Sequence, residues 1–327
     1  MSELPLITII TPSYRSTGTI KETVDSVLKQ SYPAVQFIVI DDGTEGFVAD
    51  DLISYIDENK KSNLVDFTVI GNEKNLGTVK TLNRGLSLTK GKYVYTLAAD
   101  DCFYDDDVLL DWTNEFIRIN ADTITTKRAV YDENMLKQKY VAPIPKQIEL
   151  IEKSAPKELF ESMTGYNFIF GCCTAHSKSC LDRYGGFDER YRLIEDYPLN
   201  LKLLRNGEKI RFFDRITIKY RLGGVSNANK ITKSYATESD SIFKNEVLPL
   251  TADKRNAKKS YKLWKRRSSY LSEKAVYREK YKPDSSRCGR IKYRFVMLVR
   301  HLPYAIEIEK TKLKVKRKQN KKDNKNA

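Results

Sequence analysis

Cysteine, proline, glycine and long apolar runs are all scarce in this chain of 327 residues. The five cysteines form no CxxC pair and no disulfide-like framework, which favours a reducing, cytosolic compartment. With 15 Gly, 10 Pro, 40% hydrophobic and 31% charged residues, the composition excludes fibrous and disordered proteins. No uncharged apolar run approaches the roughly 20 residues that a membrane-spanning helix needs, and the N-terminus lacks a signal-peptide pattern. We therefore expect a cytoplasmic, globular protein whose membrane contact is at most peripheral.

The excess of positive over negative charge lies entirely in the last quarter of the chain. The formal net charge is +15, but residues 1–250 hold 32 Lys or Arg against 36 Asp or Glu, whereas residues 251–327 hold 26 against 7. Residues 261–282 mix these cations with aromatic side chains, and residues 290–301 place apolar residues on one helical face. This pattern is typical of helices that lie on an anionic membrane surface. We predict a globular domain over 1–250 and a basic, amphipathic helical and partly disordered tail over 251–327.

Two other interpretations of the basic tail stay open at this stage. Its cations could form a solvated face of a helix that packs on the globular domain. Aromatic residues among cations also suit nucleic-acid bases, so a noncatalytic nucleic-acid-binding protein is an alternative function. We disfavour nucleic acid as a partner because residues 1–250 carry no excess of positive charge.

The first hundred residues alternate between β-branched runs and amphipathic runs. The spacing predicts strands over 6–11, 36–40, 67–70 and 93–97 and helices over 20–28, 49–56 and 78–88. Four such β-α units predict an α/β fold with a mostly parallel central sheet flanked by helices, similar to a Rossmann-like nucleotide-binding half. Ligands of such sheets bind beyond the carboxyl ends of the strands.

Polar residues concentrate where these strands end. The second strand runs into Asp41 and Asp42, and the fourth runs into Asp100 and Asp101. Neighbouring carboxylates raise one another's pKa unless a positive charge joins them. Oxygen ligands suit Mg²⁺ or Mn²⁺, which take one or two protein carboxylates and leave other positions to phosphates. Alternatively, the first pair forms only a turn and the second only caps the next helix.

Six short motifs occur in one order over about 190 residues, and together they resemble the family-2 glycosyltransferases of the GT-A fold. The motifs are ITPSY (10–14), DDGT (41–44), NLG (75–77), AADD (98–101), GGFDE (185–189) and ED (195–196). The resemblance covers residues 4–225, so that 1–250 would be the catalytic domain, and the tail lies outside it. The sequence departs from the family at Ala98, where the first Asp of the metal motif is missing, and at Leu82, where a basic residue often precedes the Asn.

The resemblance implies a nucleoside-diphosphate-sugar donor site and a divalent cation, Mn²⁺ or Mg²⁺. Asp101 would hold the cation that bridges the two phosphates of the donor. The resemblance also implies residues that bind the donor. Thr11 and Tyr14 would lie against the nucleotide base, Asp42 would hydrogen-bond the base with Asp41 beside it, and Asp100 would lie next to the metal. The other implied donor-binding residues are Asn75, Gly77 and Asn83.

The resemblance further implies that Asp196 is a general base. Inversion at the anomeric carbon by direct displacement needs one carboxylate to take the proton of the acceptor hydroxyl. Alternatively, Glu195 and Asp196 only begin a helix, where the macrodipole stabilises acidic residues. The expected function is an inverting glycosyltransferase whose acceptor is a lipid-linked saccharide in surface polysaccharide synthesis, peripheral on the inner face of the cell membrane. A sugar-phosphate nucleotidyltransferase is a further alternative, disfavoured because a Gly-rich basic N-terminal loop is absent.

Overall fold

The computed structural model describes residues 4–223 and 233–266. Within them the strands form one sheet of order β3-β2-β1-β4-β8-β6-β9-β5, with β7 paired to β6. The strands are β1 (Ile7–Ser13), β2 (Val35–Asp41), β3 (Leu64–Gly71), β4 (Tyr93–Thr96), β5 (Cys102–Phe103), β6 (Thr123–Tyr131), β7 (Gln138–Ala142), β8 (Thr174–Ser177) and β9 (Arg211–Arg221).

The N-terminal half of the sheet is parallel. Strand β1 pairs with β2 on one side and with β4 on the other, and β2 pairs with β3. Helices α1 (Ile20–Leu28), α2 (Ala49–Asn59) and α3 (Thr78–Ser87) connect these strands. Nearly every residue of β1 and β2 is buried, because helices cover both faces of the sheet. The seven elements predicted up to residue 97 are therefore present, with bounds that agree within three residues.

The second half of the sheet is mixed. Strand β8 lies between β4 and β6 and is antiparallel to both, while β9 is parallel to β6. Strands β1, β2, β3, β4, β6 and β9 consequently point the same way, and β5, β7 and β8 run against them. The prediction of a mostly parallel central sheet flanked by helices is confirmed.

Most of the remaining helices lie in the second half of the described chain. They are α4 (Val108–Ile119), α5 (Pro145–Lys153), α6 (Pro156–Met163), α7 (Lys178–Tyr184), α8 (Asp196–Arg205), α9 (Lys233–Ile242) and α10, which is helical from residue 254 to the last described residue, 266. None of the helices in the described ranges is both long enough and apolar enough to cross a membrane.

The first part of the predicted tail packs against the rest of the protein. Ala257 of α10 is buried, and Tyr261 stacks on Phe243 with 4.0 Å between ring centroids. The Thr251 hydroxyl donates to the Glu161 carboxylate at 2.6 Å. Residues 251–266 therefore share a core with the residues before them, and the domain boundary at 250 stays a prediction. The predicted amphipathic helix over 290–301 and the predicted disordered end lie outside the described residues.

Candidate functional site

A cleft of about 880 Å³ opens at the carboxyl ends of β1 and β4 and continues towards β6 and β9. Strand β1 lies between β2 and β4, so the strand order reverses at β1. The connections that follow β1 and β4 therefore run to opposite sides, and a crevice forms between them at the carboxyl ends of the strands. Of the predicted site residues, five line the cleft: Tyr14, Asp42, Asp100, Asp101 and Asp196. Thr11, Asp41, Asn75, Gly77 and Asn83 lie around it without lining it.

Asp42 organises the loop that contains the NLG motif. Its Oδ1 accepts hydrogen bonds from the backbone N–H of Leu76 at 2.7 Å and from the Asn72 side chain at 2.9 Å. Its Oδ2 accepts the Gly77 N–H at 2.8 Å. A carboxylate offers about four acceptor positions, so three protein donors leave room for one more.

Asp41 closes the turn that follows β2. Its carboxylate accepts the backbone N–H and the hydroxyl of Thr44, at 2.6 and 2.8 Å. Gly43 has a φ of +74°, and a Cβ there would lie 2.4 Å from the carbonyl carbon of Lys74. The DDGT motif therefore needs glycine for both its backbone conformation and its close approach to the next loop.

Three predicted residues lie around the cleft, and two of them, Asn75 and Asn83, link neighbouring segments. The Asn75 side chain and carbonyl both accept from the guanidinium of Arg192. Asn83 donates to the Phe187 carbonyl at 2.8 Å and accepts the Phe187 N–H at 2.9 Å, which ties α3 to the GGFDE segment. Thr11 is fully buried in β1, and its hydroxyl has no hydrogen-bond partner among the described residues.

Asp101 lies at the bottom of the cleft and is almost fully buried. Its Oδ1 accepts the backbone N–H of Arg221 at 2.8 Å, whereas its Oδ2 is buried without a hydrogen-bond partner in the described part of the chain. Burial, together with the neighbouring Asp100 carboxylate, raises the pKa of Asp101 well above its usual range. Burial likewise raises the pKa of Asp100. A buried carboxylate oxygen without a partner is costly, and a cation at this position would remove the cost.

These residues fit a divalent cation that is only partly held by protein. In residues 4–223 and 233–266, no three His, Cys, Asp or Glu side chains are grouped to enclose a metal ion. Mg²⁺ is commonly bound through one or two carboxylates, with the other positions filled by water and substrate phosphates. Asp101 and the adjacent Asp100 could supply the one or two carboxylate ligands of such an ion, and water and substrate phosphates would fill the other positions.

Asp196 is the first residue of α8 and lines the same cleft as Asp101. Its Oδ2 accepts from the Asn167 side chain and from the Gly171 N–H, both at 2.9 Å. Burial raises the pKa of Asp196, and burial together with Asp196 raises that of Glu195 well above its ordinary value. A Cβ at Gly171 would lie 2.6 Å from Glu195 Oε1 and 3.1 Å from the Asp196 Cβ, so a larger residue there would displace the Glu195 side chain.

Arg128 of β6 also lines the cleft, and sequence reasoning missed it. Its guanidinium lies between the rings of Phe170 and Tyr220, 3.8 and 4.1 Å from their centroids. It donates to the Cys172 sulfur at 3.5 Å, and its Nε has no hydrogen-bond partner among the residues that the structure describes. No local signal marks this arginine, because the two rings that orient it come from distant segments.

The fold is an α/β sheet with a cleft and carboxylates at the carboxyl ends of its strands, which is where such sheets bind their ligands. The model of the family "Glycosyl transferase family 2" matches residues 8–185, which is more than half of the chain. The protein belongs to glycosyl transferase family 2.

Curated relatives are similar to this chain over most of its length. It is 28% identical over 232 residues to the UDP-Glc:alpha-D-GlcNAc-diphosphoundecaprenol beta-1,3-glucosyltransferase WfaP of Escherichia coli, a match that covers 69% of this chain and 82% of WfaP. It is 24% identical to the uncharacterized glycosyltransferase EpsJ of Bacillus subtilis over 70% of this chain and 64% of EpsJ. The match to an uncharacterized glycosyltransferase of Rickettsia felis, at 26% identity, covers 84% of this chain but spans 44% of the length of that relative.

Solved structures share the fold. TarS 1-349 of S. aureus in complex with UDP superposes with a TM-score of 0.58 at 16% identity, over 88% of this chain and 78% of that one. The mannosyltransferase PcManGT of Pyrobaculum calidifontis, in complex with GDP-Man and Mn²⁺, superposes with a TM-score of 0.56 at 15% identity, over 93% of this chain and 83% of that one. The GT-A fold implied by the sequence motifs is confirmed.

Proposed function

We propose that the protein is an inverting glycosyltransferase that moves one sugar from a nucleoside-diphosphate donor to a hydroxyl of a saccharide acceptor. The observation that carries this proposal is the arrangement of three carboxylates along one cleft: Asp42, Asp101 and Asp196. Membership in family 2 and the nucleotide-bound structural neighbours support it.

The nucleoside would bind at the end of the cleft that Tyr14 and Asp42 line. Tyr14 is 41% exposed, so its ring offers a face on which a base can stack. Asp42 keeps one acceptor position for a base N–H after its three protein hydrogen bonds. Asp41, Asn75, Gly77 and Asn83 would act by holding the surrounding loops.

The diphosphate would bind next to Asp101 and Asp100. Mn²⁺ or Mg²⁺ held there would act as a Lewis acid on the departing nucleoside diphosphate. The Asp101 Oδ2 would contact the cation, and the backbone N–H of Arg221 keeps the other oxygen in place. PcManGT was solved with Mn²⁺, which supports a divalent cation in this fold.

Asp196 would accept the proton of the acceptor hydroxyl. Two hydrogen bonds, from Asn167 and Gly171, orient its carboxylate. Burial raises the pKa of this carboxyl group, which brings it nearer to neutral pH and makes it a better base. A single base opposite the leaving group supports displacement with inversion.

The acceptor would be a lipid-linked saccharide. WfaP acts on a diphosphoundecaprenol-linked acceptor, and we extend that chemistry to this chain as a proposal. The test is a panel of UDP- and GDP-sugars with Mn²⁺ and with EDTA, in which release of nucleoside diphosphate and the anomeric configuration of the product are measured by NMR. Release with one donor, dependent on Mn²⁺ and giving an inverted product, supports the proposal; no release from any donor contradicts it.

Arg128 would donate hydrogen bonds to negatively charged oxygens of the bound substrates. Its two faces are covered by rings, so only its edge is available to a ligand. Charge-assisted hydrogen bonds contribute about 1.5–3 kcal/mol, so Arg128→Gln is expected to lower kcat/KM by about 10- to 100-fold. Arg128→Lys should recover little of this, because an ammonium group cannot reproduce the stacked planar geometry.

Steady-state kinetics on the purified variants measure this effect. Arg215→Gln is the matched control, because Arg215 pairs with Asp105 and Asp111 outside the cleft lining. An Arg128→Gln variant with wild-type kcat/KM would place Arg128 outside the substrate site.

The basic C-terminal residues would bring the enzyme to an anionic membrane surface. Within the described part, Lys254, Lys258 and Lys262 are exposed and recur every four residues along α10, beside the packed residues Ala257 and Tyr261. Each cation near such a surface contributes about 1 kcal/mol, so replacing these three lysines by Gln should weaken binding to phosphatidylserine vesicles by roughly 100-fold. High salt should have the same effect, because it screens exposed charges.

A vesicle sedimentation assay with and without phosphatidylserine measures this binding. A second variant ends after Arg266, since a cut at 250 would remove Ala257 and Tyr261 from the core. Both variants should hydrolyse donor at the wild-type rate. If the full chain does not bind anionic vesicles at low salt but slows the migration of RNA or DNA in a gel, the membrane proposal fails.

A further inference from the structure

One carboxylate outside the predicted motifs holds the segment that leads into Glu195 and Asp196. Glu238 of α9 accepts three consecutive backbone N–H groups: that of Arg192 on Oε2 at 2.9 Å, and those of Leu193 and Ile194 on Oε1 at 2.8 and 2.6 Å. Successive N–H groups that converge on one anion form a nest, which favours a carboxylate over a neutral side chain.

The segment held by Glu238 joins the two halves of the cleft. On the donor side, the Arg192 guanidinium binds Asn75, and the Arg192 carbonyl accepts the Val79 N–H at 3.1 Å. On the acceptor side, Leu193 and Ile194 line the cleft and lead directly into Asp196. Arg192 keeps its own contacts to Asn75 and Val79 on the donor side, whereas the N–H groups of Leu193 and Ile194, which lead to the proposed base, are held by Glu238.

The same helix also forms part of the cleft wall. Tyr235 lies one turn before Glu238 on α9, so the two side chains share a face of the helix. Tyr235 lines the cleft, and its pKa is raised by burial and by the nearby Asp196 and Glu195 carboxylates. Glu238 thus fixes the distance between this wall and the start of α8.

We propose that Glu238 is a positioning residue: its carboxylate anchors α9 to residues 192–194 and so sets the place of Asp196 relative to the donor site. It contacts no substrate in this role. The kinetic consequence rests on the proposed transfer reaction, whereas the anchoring itself does not.

The experiment compares Glu238→Gln with the wild-type full chain in two measurements. In the glutamine side chain, an NH₂ group replaces one of the two carboxylate oxygens and faces at least one of the three backbone N–H donors. The three N–H groups therefore lose the negative charge and one of their two acceptor atoms. Hydrogen exchange of the peptide that contains residues 192–194 should become about 10-fold faster, because these amides lose their protection. In the transfer assay, kcat should fall about 10-fold, while the Kd for nucleoside diphosphate with Mn²⁺, measured by calorimetry, stays within about 3-fold.

Asp240→Asn is the matched control on the same helix. The Asp240 carboxylate accepts from the Tyr261 hydroxyl at 2.6 Å and from Lys265, and it does not bind residues 192–194. This variant should leave both the exchange of residues 192–194 and kcat at wild-type values.

The outcomes separate the anchor from the reaction. Unchanged exchange in Glu238→Gln overturns the anchor, even if the wild-type enzyme transfers no sugar. Faster exchange with wild-type kcat overturns the positioning role. Equal losses of kcat and of nucleoside-diphosphate affinity, with a lowered Tm, would show a general loss of folding and also overturn it.

Discussion

Replacing Asp196 by asparagine is expected to lower turnover by about 10²-fold or more and to leave donor affinity nearly unchanged. The amide has almost the same shape and can still accept from Asn167 and Gly171. It cannot, however, take a proton from the acceptor hydroxyl. Single-turnover transfer and calorimetry with nucleoside diphosphate and Mn²⁺ measure the two quantities separately.

The pH dependence of the wild-type enzyme follows from the same carboxylate. A general base works in its ionised form, so kcat should fall as pH decreases through the pKa of Asp196. Burial raises that pKa, so the acidic limb should lie above the pH at which an exposed aspartate titrates.

Two results would contradict this role. A product with retained anomeric configuration would exclude a single displacement, and an equal loss of donor binding in Asp196→Asn would place Asp196 in the donor site. Asp182→Asn is the control, because Asp182 pairs with Lys178 on the exposed side of α7. Its turnover should equal that of the wild type.

Replacing Asp101 by asparagine is expected to abolish metal-dependent donor binding while stabilising the metal-free protein. The carboxylate oxygen Oδ2 is buried without a partner among the described residues, so a neutral side chain removes a desolvation cost that the Arg221 N–H and the charge of Arg128 offset only in part. The amide oxygen can keep the hydrogen bond from the Arg221 N–H. The proposed cation would lose its ligand, and the diphosphate would lose the positive charge that the cation supplies.

Thermal unfolding distinguishes these two effects. In EDTA, Asp101→Asn should have a Tm equal to or above that of the wild type. Mn²⁺ with nucleoside diphosphate should raise the Tm of the wild type but not that of the variant, since only a ligand that binds the folded state stabilises it.

Asp106→Asn serves as the control because Asp106 is an exposed carboxylate that follows β5 and does not line the cleft. It should respond to Mn²⁺ like the wild type. Full transfer activity in EDTA, or an Asp101→Asn variant that still responds to Mn²⁺, would reject Asp101 as the metal ligand.

The alternation of apolar runs is sufficient to predict the N-terminal half of the fold. Each β-α unit has a local hydrophobic period, and parallel strands joined by helices must bring their carboxyl ends to one edge. Strand ends that share an edge place Asp42 and Asp101 near one another, and both residues line one cleft. The roles of the individual site residues remain predictions.

Only the tertiary structure shows how the second half of the sheet is assembled and which side chains complete the cleft. Strand β8 pairs with β4 and β6 over separations of tens of residues, and local periodicity carries no information about such partners. Arg128 and Glu238 are ordinary charged residues in sequence. Their importance comes from two rings and three N–H groups that distant segments bring to them.

The sequence by itself thus determined the family, the parallel β-α units of the N-terminal half and the acidic motifs, because these depend on neighbours along the chain. The tertiary structure alone decided which of those acids are exposed to the cleft and which hold loops. Asp41 and Asp42 are adjacent in sequence, yet one closes a turn and the other lines the cleft. The reason is physical: burial and hydrogen-bond partners depend on contacts between distant segments, and these set how a carboxylate binds and titrates.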